Sequence, residues 1–262
     1  MSADYELPTL LESLQLRALP AQLPTLLAEA RAQQMTYEGF LQRVLVEEVQ
    51  ARDRRAYERR LQAAKLPGHK SLDAFDFSFQ PTVSERVVRE LADLSFIQSA
   101  TNVVFLGPPG VGKTHLSLAL LVKALEAGYS AFYTTLAQVV HDLEAAQSRT
   151  TRRCLLGRFT QPRVLLIDEI GYTRLSAEQA HFLFEIVTAR YETNPILLTS
   201  NTSFAEWGTL LSNEILATAL LDRLLHHAEV ISINGRSYRM KGRLPTASSP
   251  LLAPERSSVH DR

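Results

Sequence analysis

One octapeptide limits what this chain can fold into more than any other feature. Gly107-Pro108-Pro109-Gly110-Val111-Gly112-Lys113-Thr114 satisfies the pattern GxxxxGK[ST], follows the apolar run Val103-Val104-Phe105-Leu106, and opens a helical stretch from Thr114 to Glu126 that ends at Gly128. Glycines at these spacings let the backbone close around an oxyanion, and successive N–H groups with the helix N-terminus supply partial positive charge. Motif and context together predict a phosphate loop, with Lys113 reaching the β- and γ-phosphates of a nucleotide and the Thr114 hydroxyl ligating Mg²⁺. His115 completes the binding segment.

The surrounding sequence supplies the sheet that such a loop needs. Ala131-Phe132-Tyr133, Val164-Leu165-Leu166-Ile167 and Ile196-Leu197-Leu198 are apolar runs without polar alternation, separated by longer helical stretches. Strands of this kind are covered on both faces, so the expectation is an α/β fold, a parallel sheet sandwiched by helices. Its ligands bind at the carboxyl ends of the strands. Residues 1 to about 70 read instead as helix. Leu7, Leu10, Leu11 and Leu14 form one stripe, Pro20 and Pro24 interrupt, and Leu23, Leu26, Leu27 and Ala30 form another. Thr36 is placed to N-cap a longer helix bearing Phe40, Leu41, Val44, Leu45 and Val49, which runs to Ala64 before Pro67-Gly68. The predicted division is a small all-α domain over 1–70, an ATPase domain over 71–244, and a Pro/Ser/Ala-rich disordered tail over 245–262.

Two further strand ends carry chemistry. Val164-Leu165-Leu166-Ile167-Asp168-Glu169 closes a core strand on adjacent carboxylates. Asp168 suits a Mg²⁺ ligand, direct or through water, and Glu169 suits the base that orients an attacking water; the alternative is a solvated strand end. Asn201, after Thr199-Ser200, either holds that water or the γ-phosphate, or caps a polar turn. Downstream, Arg223 lies in the amphipathic stretch Leu220 to His227, and is either an arginine finger for a neighbouring subunit or an intrachain partner of a carboxylate.

Charge bears on the partner. Lys+Arg and Asp+Glu both number 28, which argues against a protein that holds nucleic acid by bulk positive charge. The zero is uneven: +1 over residues 1–70, −5 over 71–222 and +4 over 223–262. Arg52, Arg55 and Arg59, flanked by Arg54 and Arg60, form a stripe that either tracks a phosphate backbone or is a solvated face carrying pairs such as Glu48 with Arg52. Arg149, Arg152, Arg153 and Arg158 form a second cluster. With neither a helix-turn-helix nor a zinc finger visible, the expected contact is sequence-independent and to the DNA backbone. His226-His227 lack a carboxylate or cysteine at metal-ligand spacing and read as helix surface, Trp207 as packing, and Cys154 as inert. A single cysteine, no signal peptide and no apolar run of about 18 residues point to a cytoplasmic protein away from membranes.

Taken together, GPPGVGKTHL, VLLIDEIGY, TSNTSFAEW, LLDRLLHHAEV and Gly235-Arg236-Ser237-Tyr238-Arg239-Met240-Lys241 resemble the IstB family, ATP-binding helpers of insertion-sequence transposition and sisters of the DnaC helicase loaders within the AAA+ ATPases. The likeness takes in the N-terminal helices and the Leu72-Asp73-Ala74-Phe75-Asp76-Phe77 stretch leading into the core. It implies that Lys113 and Thr114 bind ATP·Mg²⁺, that Asp168 and Glu169 are the Walker B pair, Asn201 sensor I, and Arg223 a finger acting in trans in a homo-oligomer. It also implies duplex DNA and a transposase encoded by the same element as partners. A chain this short after Arg223 leaves little room for a full helical lid, and with it for a sensor II role at Arg239. Two other functions fit the phosphate loop. A helicase loader of the DnaC type would prefer single-stranded DNA, and a small-molecule kinase would suit Asp168-Glu169 and Asn201 less well, since these favour attack by water.

Overall fold

The structure, a computed structural model, describes residues 6–240. The expected tail over 245–262 lies outside them.

Three helices lead the chain: α1 (Leu7–Ser13), α2 (Leu19–Ala32) and α3 (Tyr37–Ala64). Thr36 caps α3 as its position suggests, its hydroxyl accepting from the Gly39 N–H at 3.1 Å, and Lys65 ends the helix in a left-handed conformation. The two prolines do not interrupt. Pro20 falls in the first turn of α2, where a backbone donor is unneeded, and Pro24 sits inside the helix. The apolar face expected on α3 is only partly covered: Val44 packs with Leu11, Leu19 and Leu26, whereas Leu41, Leu45 and Val49 are exposed.

Glu48 joins these helices. Although 3% exposed, its carboxylate accepts from the Ala18 and Leu19 N–H groups at 2.8 and 3.2 Å and from Arg55 at 2.8 Å, so one side chain caps α2 and ties it to α3. Burial alone would raise its pKa; the Ala18 N–H, Arg55 and the Leu19 N–H outweigh burial and hold it below the ordinary value. The far end of α3 belongs to a different layer. Tyr57, Leu61 and Ala64 pack on the core of the α/β unit, and the Arg60 Nε donates to the Leu125 carbonyl at 3.2 Å.

That core continues through α4 (Glu85–Ala92), α5 (Ser95–Gln98), β1 (Asn102–Leu106), α6 (Lys113–Glu126), β2 (Ala131–Thr135), α7 (Leu136–Ala145), α8 (Arg149–Thr160), β3 (Val164–Ile170), α9 (Ala177–Arg190), β4 (Ile196–Ser200), α10 (Trp207–Leu210), α11 (Glu214–His226) and β5 (Ala228–Ser232). The strands are all parallel, in the order β2-β3-β4-β1-β5. Alternate strand residues feed two apolar layers. Val103, Phe105, Leu166 and Leu197 face α6 and the end of α3, while Val104, Leu165, Ile167 and Leu198 face the layer containing Phe159, Phe182, Trp207 and Leu220. Both faces being dry explains why the strands show no polar alternation. β5 is the exception, an edge strand with Glu229 and Val230 exposed.

Arg190, at the end of α9, is 1% exposed and has no carboxylate partner among the described residues. It donates instead to the carbonyls of Phe159, Thr160, Pro162, Arg163 and Pro195, stitching the segments that enter β3 and β4 to α9. Burial, with Arg163 adding to it, pushes its pKa down to about 9.

Candidate functional site

The octapeptide runs from the end of β1 into α6, and its glycines take backbone conformations closed to other residues: φ is +150° at Gly107, +83° at Gly110 and +105° at Gly112. The loop is also crowded. A Cβ on Gly107 would lie 2.1 Å from the Ile233 carbonyl oxygen, and one on Gly112 would lie 2.5 Å from the Phe75 ring. Lys113 is the first residue of α6, and its Nζ donates to the Gly107 and Pro108 carbonyls at 2.6 and 2.8 Å. Burial lowers its pKa; Asp168 opposes that shift and Arg239 adds to it.

A cavity of about 330 Å³ opens over this loop. Phe75 and Gln80 wall one side, Glu169, Thr199 and Asn201 another, and Tyr238 and Arg239 a third. Asp168, at 1% exposure, accepts from the hydroxyls of Thr114 at 3.0 Å, Tyr133 at 3.3 Å and Thr199. Burial and the Asp168 charge push the Tyr133 hydroxyl well above its usual pKa, so it stays protonated and donating. A buried carboxylate facing a threonine hydroxyl at the mouth of a phosphate loop is an all-oxygen donor pair, and that chemistry fits Mg²⁺.

Glu169 breaks the strand pattern. The pairing of β3 with β4 shifts register between Ile167 and Ile170, Glu169 adopts φ +63°, and its N–H donates to Thr199 Oγ1 at 3.0 Å. A left-handed non-glycine residue costs about 1–2 kcal/mol, and here that conformation accompanies a carboxylate exposed on the cavity wall. Asn201 is fixed by its N–H on the Ile170 carbonyl at 3.1 Å, yet its Oδ1 is buried without a hydrogen-bond partner. That oxygen stands 2.0 Å from where Gly171, at φ +110°, would carry a Cβ.

Lys113, Thr114, Asp168, Glu169 and Asn201 thus meet at one place from three strand ends. Tyr133 and Thr199 join the site without a motif to mark them, and Arg239, for which the short segment after Arg223 left little room, lies with Tyr238 on the cavity wall. Tyr133 and Thr199 lay inside runs read as strand, and their hydroxyls at strand ends were the available signal. Tyr238 and Arg239 come from the 3-10 turn Tyr238–Met240, which the Tyr238 N–H pins to the Gly110 carbonyl at 2.9 Å and which Gln80 supports by donating to the Arg236 carbonyl at 2.8 Å.

Arg223 lies on α11, apart from the cavity wall. Among the described residues it forms no ion pair with a carboxylate; its guanidinium sits 4.7 Å over the Phe184 ring and donates to the Ala219 carbonyl of its own helix at 3.2 Å. The arginine clusters are partly spoken for. Glu48 pairs with Arg55 rather than Arg52. Arg152 pairs with Glu178 at 2.6 Å and covers Phe182, while Arg158 pairs with Asp142 at 2.9 Å and covers Phe132. Arg52, Arg59, Arg149 and Arg153 are exposed.

Comparison with known proteins agrees with this geometry. Residues 9–246 match the family model described as IstB-like ATP binding protein. The chain is 43% identical over 237 residues to the ATP-binding protein of insertion sequence IS21 from Pseudomonas aeruginosa, covering 90% of this chain and 89% of that one. It is likewise 43% identical over 212 residues to the ATP-binding protein of IS5376 from Geobacillus stearothermophilus, covering 81% and 84%. Among solved structures, DnaI aligns with TM-score 0.54 at 20% identity over 63% of this chain and 91% of that chain. DnaA from Aquifex aeolicus bound to AMPPCP aligns with TM-score 0.53 at 18% identity over 64% and 51%. At such identities the likeness is one of fold, the AAA+ fold.

Proposed function

The chain belongs to the family of IstB-like ATP binding proteins, and from that premise we propose that it hydrolyses ATP, assembles as a homo-oligomer on duplex DNA, and brings a transposase to the target, hydrolysis releasing the assembly. The observation that carries this reading is the meeting of Lys113, Thr114, Glu169 and Asn201 on one cavity, with Asp168 buried directly behind Thr114, while Arg223 stays outside it, stacked on its own subunit.

Each residue then has a task. The Lys113 ammonium exchanges two loop carbonyls for phosphate oxygens, a stronger, charge-assisted pairing. Thr114 and Asp168 would hold Mg²⁺, which would supply charge neutralisation on the phosphates. Tyr133 and Thr199 keep the Asp168 carboxylate fixed by donating to it. Glu169 orients and polarises the attacking water, and the Asn201 amide holds either that water or the γ-phosphate. Arg223 completes the site of a neighbouring subunit, which makes turnover depend on assembly; arginines acting this way raise kcat by about 10³–10⁵ where measured. The exposed Arg52, Arg59, Arg149 and Arg153 supply phosphate contacts repeated along the oligomer. No helix among the described residues is long and apolar enough to cross a membrane.

Two variants test the scheme. Lys113→Ala should lose ATP binding and ATP-dependent DNA binding, whereas Glu169→Gln should bind ATP, stay assembled on duplex DNA and turn over slowly. Parent-like hydrolysis by both variants would refute it. Preference for single-stranded DNA with co-purification of a replicative helicase would support the loader function in its place.

A further inference from the structure

The ends of α9 and α11 bring together three metal-ligating side chains. His226 closes α11 and His227 follows it, and the fold supplies the carboxylate that their sequence neighbourhood lacks: Glu192, two residues beyond α9. The ligand atoms of all three lie within 4.8 Å of one another. The Glu192 Oε1 stands 3.6 Å from His226 Nδ1 and 3.6 Å from His227 Nε2, and the two rings are 4.2 Å apart between centroids.

Those spacings suit a tetrahedral ion. Metal–ligand bonds of about 2.0–2.2 Å at tetrahedral angles separate ligand atoms by about 3.3–3.5 Å, so the two pairs made by Glu192 need close by only a few tenths of an ångström, and the two imidazole nitrogens, within 4.8 Å of each other, are brought together by small side-chain rotations. All three residues are exposed, which leaves the remaining coordination position open to water and the site open to ions from solution. Glu192 takes φ +56°, a left-handed conformation where the chain turns out of α9. Beside it, the Tyr191 hydroxyl meets His226 Nδ1 at 2.8 Å, a hydrogen bond that an arriving ion would replace. Two imidazoles with one carboxylate favour a borderline divalent ion over Mg²⁺ or Ca²⁺, which prefer all-oxygen shells.

We propose that Glu192, His226 and His227 form a binding site for a zinc-class divalent cation that clips the end of α9 to the end of α11. The consequence reaches Arg223, which lies one helical turn before the two histidines and stacks on Phe184 of α9. The ion and the stacked guanidinium span the same two helices, so metal binding holds the arginine-bearing face of α11 against α9. The site is built from residues outside the nucleotide cavity and does not rest on the ATPase reading.

Cobalt(II) serves as the probe. Titrated into the untagged full chain, Co²⁺ should bind one equivalent, develop the visible absorption of a tetrahedral ion, and be displaced by Zn²⁺ but not by Mg²⁺. Glu192→Gln and His227→Ala should each weaken binding by about tenfold or more while leaving ATP binding unchanged. His181→Ala should bind as the parent does, since it removes an exposed pair, His181 with Glu185 at 3.2 Å, and a ring contact with Phe184, but none of the three ligands. Absence of stoichiometric binding, binding that survives both site variants, or binding lost in His181→Ala would overturn the proposal.

Discussion

Around the end of β3, small features of single residues decide what the site can hold. Gly171 leaves room that the Asn201 side chain fills, and its φ of +110° bars a side chain on its own account. Gly171→Ala should therefore displace Asn201 by about an ångström, leave ATP binding intact and lower kcat by about 100-fold; a parent-like kcat would remove Asn201 from the reaction. Thr199 has a double task, donating to Asp168 and accepting from the Glu169 N–H. Thr199→Val keeps the shape, leaves the Glu169 N–H without its acceptor and removes one of the three donors on Asp168, so we expect a loss of about 1–3 kcal/mol in stability, read by denaturant titration, together with a higher Mg²⁺ requirement for turnover. Lys113, Thr114, Asp168, Glu169 and Asn201 were legible in sequence because each belongs to a short run whose neighbours announce it. Thr199 and Tyr133 were not, because their importance follows from which strands lie side by side, and only the sheet order puts β2 and β4 on either side of β3.

The elements themselves show where local patterns suffice and where tertiary packing takes over. The four apolar strands β1 to β4 and the helix capped by Thr36 and ending at Ala64 could be read from periodicity and caps, since both are local. β5 could not, because an edge strand with exposed Glu229 and Val230 lacks the apolar signature of its neighbours. Nor could the role of Glu48, whose partners Ala18 and Leu19 are remote in sequence. Its pKa is held below the ordinary 4.5, so its contribution to stability is fully present above that value and is lost as pH falls through the lower folded-state pKa. Glu48→Gln should accordingly weaken hydrogen-exchange protection of α2 at neutral pH, with the gap from the parent closing under acid; a gap unchanged at low pH would mean that packing, not charge, is involved. Arg190 is the counterpart within the core. Arg190→Met fills similar space but takes a buried donor away from five carbonyls, and should destabilise by about 3 kcal/mol or more.

On the scale of the whole molecule, an even total of charges conceals local surfaces of opposite sign, so affinity for DNA, where present, must come from clusters and not from the net. Binding should then weaken steeply with salt, and the double variant Arg149→Ala/Arg153→Ala should flatten the slope of log K against log salt by about one unit for each arginine that reaches a phosphate. Salt-insensitive binding would rule out backbone contact. The cavity has a different whole-chain property. Its walls are drawn from Phe75 ahead of the sheet, from the loop after β1, from the ends of β3 and β4, and from Tyr238 and Arg239 behind β5. During synthesis, then, a growing chain has most of its strands long before it has a complete nucleotide pocket, and a ribosome must release residue 239 before the cavity has all its walls. A ligand stabilises only the state that binds it. ATP can therefore act as a late selector of finished molecules, leaving truncated products and stalled chains without its help.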